Sequence, residues 1–428
     1  MMTVKEITEL LQENPEVSAY EVREIQNEGK QLFYVMGKLE TGRSVEDREV
    51  SVTVYHDFEE YRGSSSFRIL ISDTIETVKS KIAEGVKKAK QVKNPFYPLP
   101  EKSTNVKKEK ELPFSLAEAC RNAADEIAQS EAGEAATLNA TEIFADRNQV
   151  RFVSSEGMDH SYEEVKLFVE SIPSFSNANG DFELYYSDRF GSLTNLHLKE
   201  ALKEQLENVQ YRANAKTLQA IPLKKDIPVV ISGDMLNMLM GNFAEELNYG
   251  SQYLKMNHYS IGDTISPIPF DLVMHGEYEG ALYSSPIDAH GIVLQSTKIV
   301  DQGKAVALWG DMKYGYYMKE ENITGSYPVL VMENCPSEDE LLKGEHIEIL
   351  NFSAPQLDES SGYFGGEVRL ALYKNGDTVI PLSGFSISGN IYEEIRDAAY
   401  SSETAFVNDG RFSFFGPKYM ILRHMTVH

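Results

Sequence analysis

The sequence predicts an α+β protein: an N-terminal α+β domain followed by a β-rich, barrel-like C-terminal domain. Three observations carry this reading. Up to Ala220, strand-like alternation is interrupted by apolar stripes at helical spacing, several of them opened by a capping signal. After Gly250 the chain turns to short strands divided by Gly, Pro, Asp and Asn, the punctuation of a barrel-like or sandwiched sheet. Between Tyr363 and Ile395, Val368, Leu370 and Leu372 alternate with Arg369, Ala371 and Tyr373 up to Asn375-Gly376, a pair that predicts a type I′ hairpin turn. Gly384 and Gly389 lie inside the β-like run that follows, and glycine within a strand marks a bulge or a close backbone approach.

Taken in order, Thr3 and Glu6 have capping-box spacing before Val4, Ile7, Leu10 and Leu11, which share one helix face. Residues 17–72 read as strands, with Val50, Val52 and Val54 alternating with polar neighbours. Asp73 and Glu76 then open a helix whose stripe is Ile75, Val78, Ile82, Val86 and Ala89. This completes a first unit, residues 1–93. Residues 94–113 mix prolines with alternating charges and read as a linker. A second unit, 114–220, starts with a helix marked by Ser115 and Glu118, on whose apolar stripe Cys120 is expected as a buried core thiol. Two strands are expected around a turn at Asp146-Arg147-Asn148. A helix-like stretch follows at 161–171, then the longest helical pattern at 198–220, whose charges mark a solvated face. From 221 to 428 the C-terminal domain opens with a short buried strand, Ile227 to Ile231. It hands over at Ser232-Gly233 to a helix with Met235, Leu236, Leu239, Met240, Phe243 and Leu247 on its apolar side. Those methionines read as core filler and Trp309 as packing.

Composition excludes several function classes. The net charge of −25 repels phosphate backbones, and the only basic runs, near Lys87-Lys88 and Lys107-Lys108, are short, so direct nucleic-acid binding is not expected. Cys120 and Cys335 are far apart and form no Cys-x-x-Cys pair, which suits a reducing compartment. No apolar run has transmembrane length, and MMTVKEITELL lacks the core of a signal peptide, so a cytoplasmic location is expected.

The segment Pro381, Leu382, Gly384, Ser386, Ile387, Ser388, Gly389 and Asn390 resembles the Pro-Val-x-Gly-x-Thr-Ile-Ser-Gly-Asn-like segment of the TldD/PmbA family. SIGDTIS at 260–266, SPIDAHGIVLQSTKIVDQGK at 285–304 and GPKYMILRHMTV at 416–427 resemble other family segments. The order of elements, an N-terminal α+β unit, a linker, a second strand-rich unit, a long helix, then IPVVISGDMLNMLM before a β-rich domain, resembles the family's architecture over essentially the full length. TldD members of that family are zinc peptidases with a His-Glu-x-x-x-His helix and a C-terminal Cys, a ligand set that leaves one zinc position open for water. The corresponding helix here is residues 234–250. No histidine lies between His197 and His258 and no cysteine follows Cys335, while Glu245 and Glu246 remain. The resemblance is therefore to the PmbA/TldE-like branch, which lacks the zinc motif.

That resemblance implies a non-catalytic, metal-free subunit with no catalytic residue and no cofactor of its own. It implies a TldD-like zinc peptidase as partner, or a homodimer, enclosing a chamber for unfolded peptides in peptide maturation or turnover. Edge strands of the β domain would hold an extended peptide by backbone hydrogen bonds, and the peptide-binding residues themselves are not assigned. One alternative is a peptidase in its own right with a non-standard metal site at His275, Glu277, Asp288 and His290, where i, i+2 pairs on neighbouring strands would converge. Another is a stand-alone binding protein, matching the family's label of putative modulator of DNA gyrase. His56, His160, His197 and His346 are isolated and read as surface or capping residues.

Overall fold

The computed structural model describes residues 2–131, 135–194, 196–224, 226–408 and 410–428. The N-terminal domain contains helices α1 (Val4–Gln12), α2 (Ile75–Ala89), α3 (Leu116–Glu131) and α4 (Leu198–Ala213). Its strands are β1 (Ala19–Val35), β2 (Lys38–Asp57), β3 (Tyr61–Ile69), β4 (Asn94–Pro95), β5 (Lys107–Lys108), β6 (Thr137–Ser154), β7 (Asp159–Asn177), β8 (Gly180–Glu183) and β9 (Tyr186–Phe190). They form one sheet in the order β4-β3-β2-β1-β6-β7-β5, with β8 and β9 also on β7. The two expected units are therefore fused: β1 and β6 pair without a break from Glu21 opposite Ser154 to Val35 opposite Ala140. α1 and α2 bury Val4, Ile7, Val78 and Ile82 on Val22, Val52 and Val54. α3 and α4 cover β6 and β7, burying Cys120, Leu202 and Leu206 on Ile143, Leu167 and Val169. Each fully buried aliphatic side chain of this kind contributes roughly 1.5–3 kcal/mol. Burial also pushes the Cys120 thiol up to about 11, so it is inert, as its place on the stripe predicts.

Several local expectations change. Asp146-Arg147-Asn148 is no turn but the middle of β6, and residues 161–171 are strand β7 rather than helix. In β7 the buried residues Tyr162, Val165, Leu167, Val169 and Ser171 settle largely into the two-residue period of a half-buried strand. The polar triplet reads as a turn because its partners are across the sheet: Asn27 Nδ2 donates to Asp146 Oδ1 at 3.2 Å and to Asn148 Oδ1 at 2.8 Å. α2 is capped by Thr74, whose hydroxyl accepts from Thr77 N, while Asp73 accepts from Leu70 N. α1 and α3 have the predicted reciprocal caps, Thr3 with Glu6 and Ser115 with Glu118. α4 stops at Ala213, before the end of its charged pattern, because Lys216 leaves to donate from its backbone to Pro381 O at 2.8 Å.

The segment 94–113 is not a loose linker. Its ends pair as β4 with β3 and β5 with β7, Tyr97 and Leu99 are buried, and Tyr317 Oη donates to Pro95 O at 2.6 Å.

The C-terminal domain contains strands β10 (Val229–Ser232), β11 (Asp271–His275), β12 (Thr297–Asp301), β13 (Lys304–Ala305), β14 (Val329–Glu333), β15 (His346–Phe352), β16 (Gln356–Leu357), β17 (Tyr363–Asn375), β18 (Thr378–Leu382), β19 (Phe385–Asn390), β20 (Ala399–Tyr400), β21 (Thr404–Val407), β22 (Ser413–Pro417), β23 (Tyr419–Leu422) and β24 (Thr426–Val427). Its helices are α5 (Gly233–Glu246), α6 (Tyr249–Leu254), α7 (Met312–Met318) and α8 (Ile391–Glu394). One sheet runs β20-β23-β10-β15-β17-β19-β24, with β16 and β18 on β17, and the other runs β13-β12-β11-β14-β22-β21. These curled sheets share one apolar core with α5: Ile231, Ile347 and Ile349 from the first, Leu272, Met274 and Leu330 from the second, and Leu236, Leu239 and Phe243 from the helix. Trp309 is buried and donates from Nε1 to Ala244 O at 2.7 Å, tying the end of α5 to the second sheet's loops.

The β17–β18 hairpin forms as predicted, with its turn one residue further on. Asn375 pairs with Thr378, so the loop is Gly376-Asp377, and of that pair only Gly376 has positive φ (57°). Glycine at the first loop position with that φ is the signature of a type II′ turn, not type I′. Gly376→Ala is expected to cost about 1 kcal/mol, because a Cβ disfavours the left-handed region. Urea unfolding of the two chains checks this. Gly389 marks a close approach, since a Cβ there would lie 2.4 Å from Met425 Sδ.

Candidate functional site

α5 has two faces. Met235, Leu236, Leu239, Met240 and Phe243 enter the core, while Asp234, Asn237, Met238, Gly241, Asn242 and Glu245 recur three or four residues apart along another stripe. That stripe lines a cavity of about 400 Å³ together with Pro355, Leu357, Glu359, Gly410, Arg411 and Phe412. Asn237 is fixed by donating from Nδ2 to Phe412 O at 2.9 Å, and Asn242 Nδ2 lies 3.5 Å from Tyr392 Oη.

Two adjacent glutamates end the helix in different environments. Glu245 is partly buried, with 15% of its side chain exposed, and this burial raises its carboxyl to about 7; Arg411 opposes this rise and Glu359 adds to it. Its Oε1 is 2.8 Å from Arg411 Nη2 and makes no hydrogen bond, so the guanidinium acts on it as a nearby charge and not as a directed donor. Glu246 points the other way and is saturated. It accepts from His258 N at 2.8 Å, Tyr259 N at 3.1 Å, His258 Nδ1 at 3.1 Å and the Tyr392 hydroxyl. The His258 ring lies over Tyr392 with centroids 4.2 Å apart. Burial first, and the Glu246 hydrogen bond second, hold the Tyr392 phenol above its ordinary range.

Asn237 and Asn242 are five residues apart with Met238 next to the first, the spacing of the two imidazoles and the glutamate in a His-Glu-x-x-x-His helix. The donor set does not fit zinc. Carboxamides and a thioether replace two imidazoles and a carboxylate, and zinc sites use imidazole, thiolate or carboxylate. Among the described residues no group of three or more His, Cys, Asp or Glu is arranged to hold a metal ion. The lining offers the amides of Asn237 and Asn242 and the carboxylates of Asp234, Glu245 and Glu359.

The structure does not bring His275, Glu277, Asp288 and His290 together. His275 ends β11 with Nδ1 2.7 Å from Ser296 Oγ, and Glu277, beyond that strand, pairs with Lys108. Asp288 and His290 lie in a loop, not on a neighbouring strand. The Asp288 carboxylate is occupied by the backbone N–H groups of His290, Ile292 and Ser326, and His290 Nδ1 is 3.1 Å from both carboxylate oxygens of Glu21. Of the isolated histidines, His197 is the α4 N-cap residue, while His160 and His346 are buried rather than at the surface. Sequence reasoning placed α5 but missed its asparagine pair, for which the i, i+5 spacing was the available signal. Arg411, Tyr392 and His258 reach the site only through long-range contacts and carry no local mark.

The fold and the cavity define an α+β protein whose buried helix α5 presents carboxamides to a cavity. Residues 224–428 match the family model for the PmbA/TldA metallopeptidase C-terminal domain. Over those residues the chain is similar to the TldD/PmbA family. Solved structures share the fold over the whole length. TldE from Thermococcus kodakarensis superposes with a TM-score of 0.76 at 14% identity, covering 99% of this chain and 98% of that one. A candidate modulator of DNA gyrase from Thermotoga maritima gives 0.79 at 15% identity and full coverage of both chains. A similarly described protein from Bacteroides thetaiotaomicron gives 0.77 at 14% identity, covering 100% of this chain and 99% of that one. No curated protein sequence matches it. Among the described residues, no helix is long and apolar enough to cross a membrane.

Proposed function

We propose that this chain is a non-catalytic, TldE-like subunit of a TldD/PmbA-type peptidase system, contributing the α5 cavity to a chamber for unfolded peptides. One observation carries the reading: Asn237, Met238 and Asn242 stand at the spacing of a zinc peptidase motif with side chains that supply neither zinc ligands nor a general base. The likeness to a protein named TldE supports it. In this reading the zinc belongs to a TldD-like partner subunit, the assembly is a dimer, and it works in the cytoplasm on peptides being matured or turned over.

The test is co-expression with a zinc-bearing TldD-like homologue from the same genome, followed by elemental analysis and a peptidase assay on a denatured protein. The lone chain is expected to hold no stoichiometric metal and to cleave nothing. Zinc and chelator-sensitive cleavage are expected only in a stable complex. Stoichiometric zinc and chelator-sensitive cleavage in the lone chain would falsify the subunit reading.

A further inference from the structure

We infer that the α5 cavity is a receptor for a basic side chain, lysine or arginine, of an extended peptide. The inference rests on reading the cavity as part of a peptide chamber and adds what that chamber selects. Three features of the cavity agree on it.

The first is shape and lining. Met238, Pro355, Leu357 and Phe412 supply apolar wall, and Asp234, Glu245 and Glu359 supply carboxylates. A long aliphatic stem ending in a cation matches that division, because such side chains bury the stem and present the charge. About 400 Å³ lies within the ordinary range of ligand sites and accommodates one such side chain with its neighbours.

The second is the state of Glu245. Its Oε1 is shielded from solvent and makes no hydrogen bond, although it lies next to the Arg411 guanidinium. A buried carboxylate oxygen without a donor costs free energy, and an ammonium or guanidinium entering the cavity supplies one. Arg411 is 62% exposed at its side chain, so its pairing with Glu245 is easily exchanged for that of an incoming cation.

The third is the helix end. The last turn of α5 holds Glu245 and Glu246 and no lysine or arginine, at the terminus where the helix dipole favours positive charge. Glu246 is fully satisfied by its own partners, which leaves Glu245, paired only with the exposed Arg411, as the carboxylate that an incoming cation can take over. The chain's net charge of −25 draws cationic peptides towards it from a distance.

The experiment uses the full chain and three acetylated, amidated tripeptides with alanine at both ends and lysine, glutamine or glutamate in the centre, titrated calorimetrically at low salt. The lysine peptide is expected to bind about tenfold tighter than the glutamine peptide, and the glutamate peptide weakest. Glu245→Gln, an isosteric change, is expected to remove that preference. Arg411→Gln, an exposed change that removes the competing cation, is expected to strengthen lysine-peptide binding by about threefold. Equal affinities for the three peptides, no binding of any of them, or a lysine preference untouched by Glu245→Gln would each overturn the inference. A zinc-bearing partner that co-purifies while the peptides show no charge preference sinks this inference alone and leaves the subunit reading standing.

Discussion

Replacing Glu246 by alanine is expected to lower the stability of the chain by about 3–5 kcal/mol, the range for breaking a buried, charged hydrogen-bond network from one side. The side chain is 5% exposed and is the shared acceptor of two backbone N–H groups, the His258 ring and the Tyr392 hydroxyl. Its loss strands the N–H groups of His258 and Tyr259 in the turn after α6 and opens a void beneath the Tyr392 ring. Glu246→Gln should cost less, since it keeps an acceptor oxygen but turns a donor towards groups that also donate. Glu245→Gln should cost least of the three, because the adjacent carboxyl is already held near neutrality by burial and makes no hydrogen bond to lose. Equilibrium unfolding in urea orders the variants. A Glu246→Ala loss below about 1 kcal/mol would show that the network adds little, and the ranking of the two glutamates would fall with it.

The contrast between these neighbours shows what sequence alone makes legible. Capping boxes at Thr3 and Ser115 are local, satisfied within one turn, and were readable. So were the α5 stripe and the β17–β18 hairpin, both set by spacing within a few residues. The errors fall where a distant partner decides the local state. Asp146 and Asn148 read as a turn because their acceptors face Asn27 across the sheet, and the tail of the charged pattern after Ala213 unwinds because Lys216 pairs with Pro381. The prolines between 94 and 113 suggested a tether, yet Tyr97 and Pro95 are claimed by Arg62 and Tyr317 from two different domains. The site follows the same rule. Asn237 and Asn242 were within reach of a spacing argument, whereas Arg411 and Tyr392 come to α5 only through the closure of two sheets around it.

The contact between the two domains is expected to be a pH-dependent source of stability, centred on Glu21 of β1 and His290 of the 285–304 segment. Glu21 is 6% exposed at its side chain, accepts from the Tyr55 hydroxyl at 2.9 Å, and holds His290 Nδ1 at 3.1 Å. Burial pulls the imidazole down. The Glu21 hydrogen bond and the charges of Glu21, Asp288 and Asp311 together outweigh this, lifting His290 to about 9. A histidine whose folded value is raised contributes its full stabilisation below the unfolded value near 6.5 and loses it as pH rises through the folded value. The window is therefore pH 6.5 to 9. The His290 side chain is 42% exposed, so solvent screens part of the pairing and the pH-dependent part is about 1–2 kcal/mol. Glu21→Ala removes more, about 2–3 kcal/mol at pH 7, because it also strands the buried Tyr55 hydroxyl. Urea unfolding of the parent chain, Glu21→Ala and His290→Gln at pH 6.5, 8 and 9.5 separates the contributions. The parent should lose its advantage over His290→Gln across that interval, while the Tyr55 part of the Glu21→Ala loss persists. An advantage over His290→Gln that stays level to pH 9.5 would mean that His290 is not charged in the folded chain and adds no pH-dependent pairing between the domains.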